Sequence, residues 1–455
     1  MIKILKYAEL SAEEVFARSE PTVNVADAVA AIIKDVRANG DEAIIRYAAK
    51  FDGIDPENFT LELSDEERTE ALAANESINP GLAEILAKAA ANIVKFHSRQ
   101  VRNSFIINDT PGIIMGQKVV PLERAGLYVP GGTAAYPSTV LMDTIPALIA
   151  GCAEIIMVTP PNADGSVNPA IVAAAEAAEA AVPGRGHVRI FRTGGAQAIA
   201  ALAYGTESIP AVDKIVGPGN AFVAEAKHQV YGKVSIDMIA GPSEILIVSD
   251  SKSDPAHLAA DMLSQAEHDK NASAVLVTDS ERLAYAVQYE IDKQLKELER
   301  EEIARASIEN NGKIIVAENL EQAVEIANTI APEHLELCVD DPFDWLGKVK
   351  HAGSVFMGRS CPEALGDYFA GPNHTLPTGG TARFSSPLSV DDFVKKMQYT
   401  YYTADALGEA ADDIAAFASV EGLTGHARSV QIRSEKDGFS FLGAISDLFR
   451  ERDNE

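Results

Sequence analysis

Cysteine is scarce: Cys152, Cys338 and Cys361 are the only three in 455 residues, and no CxxC spacing occurs. This excludes a disulfide framework and a thiolate zinc site, and it fits a reducing cytosol. Positive charge is short as well, with 39 Lys and Arg against 67 Asp and Glu and a net charge of −28. Phosphates demand a basic surface, so nucleic acid and anionic membranes are disfavoured as partners, and the excess acid reads as solvated surface. No apolar run approaches about 18 residues, and residues 1–10 lack the long apolar core of a signal peptide. A cytoplasmic protein, neither exported nor membrane-spanning, is expected. The fingerprint GxGxxG is missing too, so a nicotinamide cofactor does not follow from the glycine-rich turns alone.

What is present is a globular composition, 47% hydrophobic with mean hydropathy near zero, in a chain too long for one core. Residues 25–120 read as helical, with stretches at 25–39 ending at Gly40, at 42–50 ending near Gly53, and at 80–97. From about 127, short apolar strands (154–159, 188–191, 214–216) alternate with Gly-rich turns and Ala-rich helices. A second such run has strands at 244–248, 274–278 and 313–316. That alternation predicts βαβ units, parallel sheets and ligands at strand ends. From about 389 the chain reads as helical again, at 394–402, 404–420 and 440–452. The expected fold is α/β, with segment 128–242 inserted in a main domain of 25–127 and 243–388. A helical arm at 1–24 precedes it, and a helical segment at 389–455, suited to docking on a partner subunit, follows.

Two turns carry phosphate-binding character. Gly194-Gly195-Ala196-Gln197 follows one strand and opens a helix at 198–204, and Gly217-Pro218-Gly219-Asn220 repeats the arrangement before 221–230. Free backbone N–H groups and a helix dipole suit a pyrophosphate and its sugars, although Gly after a strand is also an ordinary turn residue. Tyr128-Val129-Pro130-Gly131-Gly132 offers an aromatic wall for the same ligand.

The sharpest polar cluster runs from Leu263 to Asp269, at the end of a helix that starts at Pro255 behind Ser253 or Asp254 as N-cap. Gln265 and His268, three residues apart, share a helical face and can converge on one cation, though such a pair alone is more often solvated. Pro332-Glu333-His334 follows a helix that must end near Ile330. A carboxylate beside an imidazole suits proton transfer, but adjacent side chains diverge in extended chain, so both serve one site only if the backbone bends. Asp367 and His374 flank a Gly/Pro-rich loop, and Glu421 and His426 lie near Gly422 and Gly425 at a helix break. Cys338 sits in a strand-like apolar context and reads as a buried thiol. His97, His187, His228, His257 and His351 read as surface or structure.

The strings GLYVPGG (126–132), GGAQAIA (194–200), KIVGPGN (214–220), AGPSE (240–244), LSQAEH (263–268), APEHL (331–335) and GPNHTL (371–376) resemble histidinol dehydrogenase, in that family's order. The likeness spans about 25–432. It implies two incomplete Rossmann-like α/β domains and the oxidation of L-histidinol to L-histidine by two NAD⁺, through an enzyme-held aldehyde. By the same resemblance the zinc ligands map onto Gln265, His268, Asp367 and His426, with the metal orienting the substrate. His334 maps onto the general base of both oxidations and Glu333 onto the group that activates water. Ser243, His374 and Glu421 match further substrate contacts, and Tyr128, Gln197 and Asn220 match NAD contacts, which makes 128–242 the NAD-binding domain. The family is an intertwined homodimer, so His426 and Glu421 would complete the neighbouring subunit's site. The open alternatives are an NAD-dependent dehydrogenase of a related amino alcohol, a zinc hydrolase using the same ligands with Glu333 as base, and a noncatalytic nucleotide-binding protein.

Overall fold

The computed structural model describes residues 1–11, 14–15, 24–131 and 136–434. Gly132 and the expected helix at 440–452 lie outside them. In chain order the strands are β1 (Lys3–Lys6), β2 (Phe105–Ile107), β3 (Ile113–Pro121), β4 (Arg124–Tyr128), β5 (Glu154–Thr159), β6 (His187–Arg192), β7 (Lys214–Val216), β8 (Ser235–Ile236), β9 (Glu244–Ser249), β10 (Ser273–Thr278), β11 (Lys313–Val316), β12 (His334–Cys338), β13 (Ser354–Met357) and β14 (Val394–Tyr402).

One compact unit comprises Met1–Val101 and Pro121–Val394. Within it a five-stranded sheet has the order β6-β5-β4-β7-β8 and a six-stranded sheet the order β1-β11-β10-β9-β12-β13. The pairings in both are parallel. Helices cover both faces, which is why the strands are near-continuous apolar runs. Alternate residues enter opposite cores. Leu127, Ile155, Met157 and Ile190 pack with the helices Leu82–His97, Pro137–Ala150 and Pro169–Ala181. Ile156, Val158, Phe191 and Ile215 pack with Ala26–Phe51, Gly195–Tyr204 and Ala221–Val230. The six-stranded sheet divides the same way, with Ile245, Ile247, Ala274 and Leu276 on one face and Leu246, Val248, Val275 and Val277 on the other. From β4 the chain winds outward through β5 and β6, then returns to β4's other side for β7 and β8. That reversal opens a crevice at the carboxyl ends of these strands.

Several expectations change. Residues 3–6 form a strand of the six-stranded sheet rather than part of a helical arm, because Lys3 to Lys6 pair in parallel with Lys313 to Val316. The early helices of the expected domain of 25–127 with 243–388 lie against the five-stranded sheet. Val29, Ile33 and Ile44 pack against Ile199 and Ile156, and Leu86 and Ile93 against Ala125 and Ile171, so the early helices cover the five-stranded sheet. That sheet also begins at β4, before residue 128. The helix end expected at Gly40 does hold: with φ 48 and ψ −131 it separates two helices and folds the chain back so that Arg46 pairs with Asp35 at 2.7 Å.

The second unit comprises Arg102–Val120 and Lys395–Glu455. It holds a three-stranded sheet, β14-β3-β2, with β2 and β3 antiparallel, and the helices Ala404–Val420 and Thr424–Ser434. Three strands therefore stand where helix was expected: 105–107 and 113–121 in the early region, and 394–402 in the late one. Residues 394–402 hold three Tyr with one Val and one Thr, which suit a pleated surface. The ring of Tyr399 lies against Gly116, where a Cβ would come within 2.3 Å of it. Among the described residues no helix is long and apolar enough to cross a membrane.

Candidate active site

In a βαβ unit the helix runs back against its strands, so its C-terminus arrives at the edge where the next strand starts. The helix Pro255–Ala266 does this. Asp254 caps it, with Oδ1 accepting the Ala256 N–H at 2.8 Å, and Pro255 occupies its first turn. At the far end Gln265 is buried, and His268 lies in the turn beyond the helix, donating its N–H to the Gln265 carbonyl at 3.3 Å. His268 is therefore past the helix end rather than on its face as expected.

The helix Leu320–Ile330 ends as expected, and Ala331 then adopts a left-handed conformation, φ 53 and ψ 64. For a residue with a Cβ this costs roughly 1–2 kcal/mol. It turns the chain so that Glu333 occupies a bend and β12 starts at His334. Adjacent side chains can then face one site: Glu333 Oε2 lies 3.7 Å from His334 Nδ1. One residue of β9 holds both. The Glu244 N–H donates to Glu333 Oε2 at 2.8 Å, and its carbonyl accepts from His334 Nδ1 at 3.0 Å. Gly353 lies against this bend, where a Cβ would stand 2.5 Å from the Glu333 carbonyl oxygen.

A carbonyl only accepts, so Nδ1 of His334 carries a proton and Nε2 is the nitrogen turned toward the remaining carboxylates. That nitrogen lies 3.7 Å from Asp367 Oδ1 and 3.9 Å from Glu363 Oε1. Both carboxylates stand on the short helix Glu363–Tyr368, one turn apart, so Asp367 is helical and the loop begins after it. Ser264 donates to Glu363 Oε2 at 3.0 Å, and the Asp367 carbonyl accepts from His374 Nδ1 at 3.1 Å. His268, Glu363 and Asp367 offer ligand atoms that lie within 4.8 Å of one another.

Burial pushes Glu333 up to about 7, and burial together with neighbouring Asp367 raises Glu363 to about 8. Burial also lowers His268 and His374, which favours the neutral imidazoles. Asp367 is held well below the usual carboxylate range, because His334 and His374 outweigh its burial. Burial likewise opposes charge on His334, but the carboxylates of Glu333, Asp367 and Glu363 prevail and raise it to about 10. A divalent cation held among those carboxylates would offset that field.

Gln265 Oε1, His334 Nε2 and Glu363 Oε1 are buried and have no hydrogen-bond partner among the described residues. Folded proteins seldom leave such atoms unsatisfied. A donor set of amide oxygen, imidazole and carboxylate suits a divalent metal such as zinc, and the carbonyl end of the helix Pro255–Ala266 adds negative potential. Cys338 is buried and its Sγ faces Glu336 Oε2 at 3.7 Å. Burial and that carboxylate push the thiol far above its usual range, so it is no nucleophile.

A cavity of about 440 Å³ opens at the carboxyl edge of the five-stranded sheet, lined by Tyr128, Gln197, Asn220, Gly194 and Gly195 among others. Its size falls in the range of small-molecule sites. Gly195 has φ 65 and donates its N–H to Tyr128 Oη at 3.1 Å. Gly217 has φ 112, and a Cβ there would meet the Tyr128 carbonyl at 2.1 Å. Asn220 caps the helix Ala221–Val230 by accepting from the N–H groups of Phe222 and Val223.

The sequence model of the family "Histidinol dehydrogenase" matches residues 17–434. The chain belongs to the histidinol dehydrogenase family. It is 52% identical over 420 residues to the histidinol dehydrogenase of Syntrophotalea carbinolica, covering 92% of this chain and 95% of that one. It is 53% identical over 409 residues to the enzyme of Bacillus subtilis, at 90% and 93% coverage. A crystal structure of histidinol dehydrogenase from Elizabethkingia anophelis superposes with a TM-score of 0.87 at 36% identity, covering 95% of this chain and 98% of that one. Against the residues that the histidinol dehydrogenase resemblance implied, the structure brings His268, His334 and Asp367 together, with Glu333 and His374 beside them. Ser243 directly precedes Glu244. Glu421 and His426 belong to the second unit. Glu363 was missed in the sequence because 363–368 was not read as a helix; its spacing of four residues from Asp367 was the available signal.

Proposed function

We propose that the chain oxidises L-histidinol to L-histidine through L-histidinaldehyde, with one zinc ion per subunit and two NAD⁺ consumed, as the last step of histidine biosynthesis. The observation that carries this reading is the clasp of Glu244 on both Glu333 and His334, beside three unsatisfied buried polar atoms. Zinc, held by Gln265, His268 and Asp367 together with His426 of the partner subunit, would bind the substrate's amino and imidazole nitrogens and fix its orientation. NAD, bound at Tyr128, Gln197 and Asn220, would accept the two hydrides in turn.

His334 acts through Nε2. With Nδ1 committed to the Glu244 carbonyl, the free nitrogen accepts the alcohol proton in the first oxidation and the hydrate proton in the second. Glu333, raised to about 7, takes a proton from water so that the oxygen adds to the aldehyde carbon. Ser243, His374 and Glu421 contact the substrate. Burial of Glu333 and His334, at 6% and 4% exposure, keeps competing water away. The same reading makes the protein a cytoplasmic homodimer in which the segment 389–455 of each chain, which carries His426 and Glu421, docks on the other. A zinc hydrolase would have no use for the cavity at the paired glycine turns.

The test is NADH formation by purified zinc-loaded protein with histidinol and NAD⁺, run to completion with product analysis. Two NADH per histidine are expected. No NADH from a metallated dimer would reject the reading and turn attention to related amino alcohols or to hydrolysis.

A further inference from the structure

Asp52 is placed against its own interest. It caps the C-terminal end of the helix Ala26–Phe51 with φ −107 and ψ −11, where the helix dipole is negative and a carboxylate is disfavoured. Its Oδ2 is buried and has no hydrogen-bond partner among the described residues. Burial alone pushes the group up to about 6, with no neighbouring cation to oppose it. Nothing in the fold explains the residue, yet it lines the cavity described above, where it is the only charged group among the described lining residues.

The surroundings indicate which part of a ligand it meets. Ile32, Phe51 and Phe222 line the same cavity, and both phenylalanines stay exposed, at 55% and 40%. A purine covers such apolar rings, and the group attached to a purine is its ribose. Thr159 also lines the cavity and has its own buried Oγ1 without a partner. The described lining holds no Lys, Arg or His to receive a phosphate on that ribose.

We infer that Asp52 is a specificity-determining residue, whose carboxylate accepts hydrogen bonds from the ribose hydroxyls beside adenine and repels a 2′-phosphate. The inference rests on reading this cavity as the dinucleotide site. A carboxylate paired with a ribose 2′-hydroxyl is a general device for choosing NAD over NADP, and the like charge of carboxylate and phosphate supplies the repulsive half of the selectivity.

The experiment measures kcat/KM for NAD and for NADP with the zinc-loaded wild type, Asp52→Asn and Asp52→Ala. Competition by ADP-ribose and its 2′-phosphorylated form is measured alongside. The wild type should prefer NAD by about a hundredfold or more, and Asp52→Asn should shrink that preference by about tenfold or more, through a higher KM for NAD without a matching rise in KM for histidinol. Asp52→Asn keeps the side-chain shape, so poor folding of Asp52→Ala would not decide the matter. A preference within about twofold of wild type in folded Asp52→Asn, or a wild type that uses both cofactors equally, overturns the inference alone. A wild type that neither turns over NAD nor binds ADP-ribose overturns the cofactor reading and the inference with it.

Discussion

At the residue scale the telling groups are those left without a partner. Glu363 sits at 2% exposure with Oε2 taken by Ser264 and Oε1 unsatisfied, a state that costs free energy unless something else binds there. A cation shared with His268 and Asp367 would relieve it. Replacing Glu363 with Gln removes the charge and keeps the volume, so zinc retention should fall by about 10- to 100-fold, read as zinc remaining on the protein against a graded chelator. Retention equal to wild type would reduce Glu363 to packing. The pair Glu333 and His334 was legible from the sequence as chemistry, but not as one site, because the deciding fact is a left-handed alanine that no propensity rule anticipates.

At the element scale, buried runs declared themselves and exposed ones did not. β5, β7 and β11 stand where their apolar runs put them, since both faces of each are covered. β14 was misread because eight of its nine residues are exposed, so no alternation marks it, and β1 was missed because four residues pair with a strand about 300 positions away. Inside the helix Pro137–Ala150, Asp143 is fully buried, takes a hydrogen bond from Thr375 Oγ1 at 2.9 Å, and is pushed by burial up to about 8. Its folded value lies above the unfolded one of about 4, so the protonated group stabilises fully below that pH. The contribution fades as pH rises toward about 8. Asp143→Asn should therefore lose less of its melting temperature between pH 6 and pH 9 than the wild type does, by about 2 °C or more. Parallel pH profiles for the two would show that Asp143 is not the group responsible.

At the scale of the whole molecule, the proposed dimer makes a prediction about mixtures. If each site draws His334 from one chain and His426 from the other, the separate variants His334→Asn and His426→Asn should both be inactive. Unfolded together and refolded, they should recover about a quarter of wild-type activity, since half the dimers are mixed and each of those has one intact site. No recovery from folded mixed dimers would place both histidines in the same subunit's site. The chain order of the two sheets also matters during synthesis. The five-stranded sheet is drawn from one continuous stretch, 124–236, whereas Lys3 of the other sheet must wait for Lys313. At about 5 to 20 residues per second that wait is roughly 15 to 60 s. On the ribosome one sheet is therefore finished while β1 still hangs unpaired, a bare strand edge exposed to every nascent chain nearby.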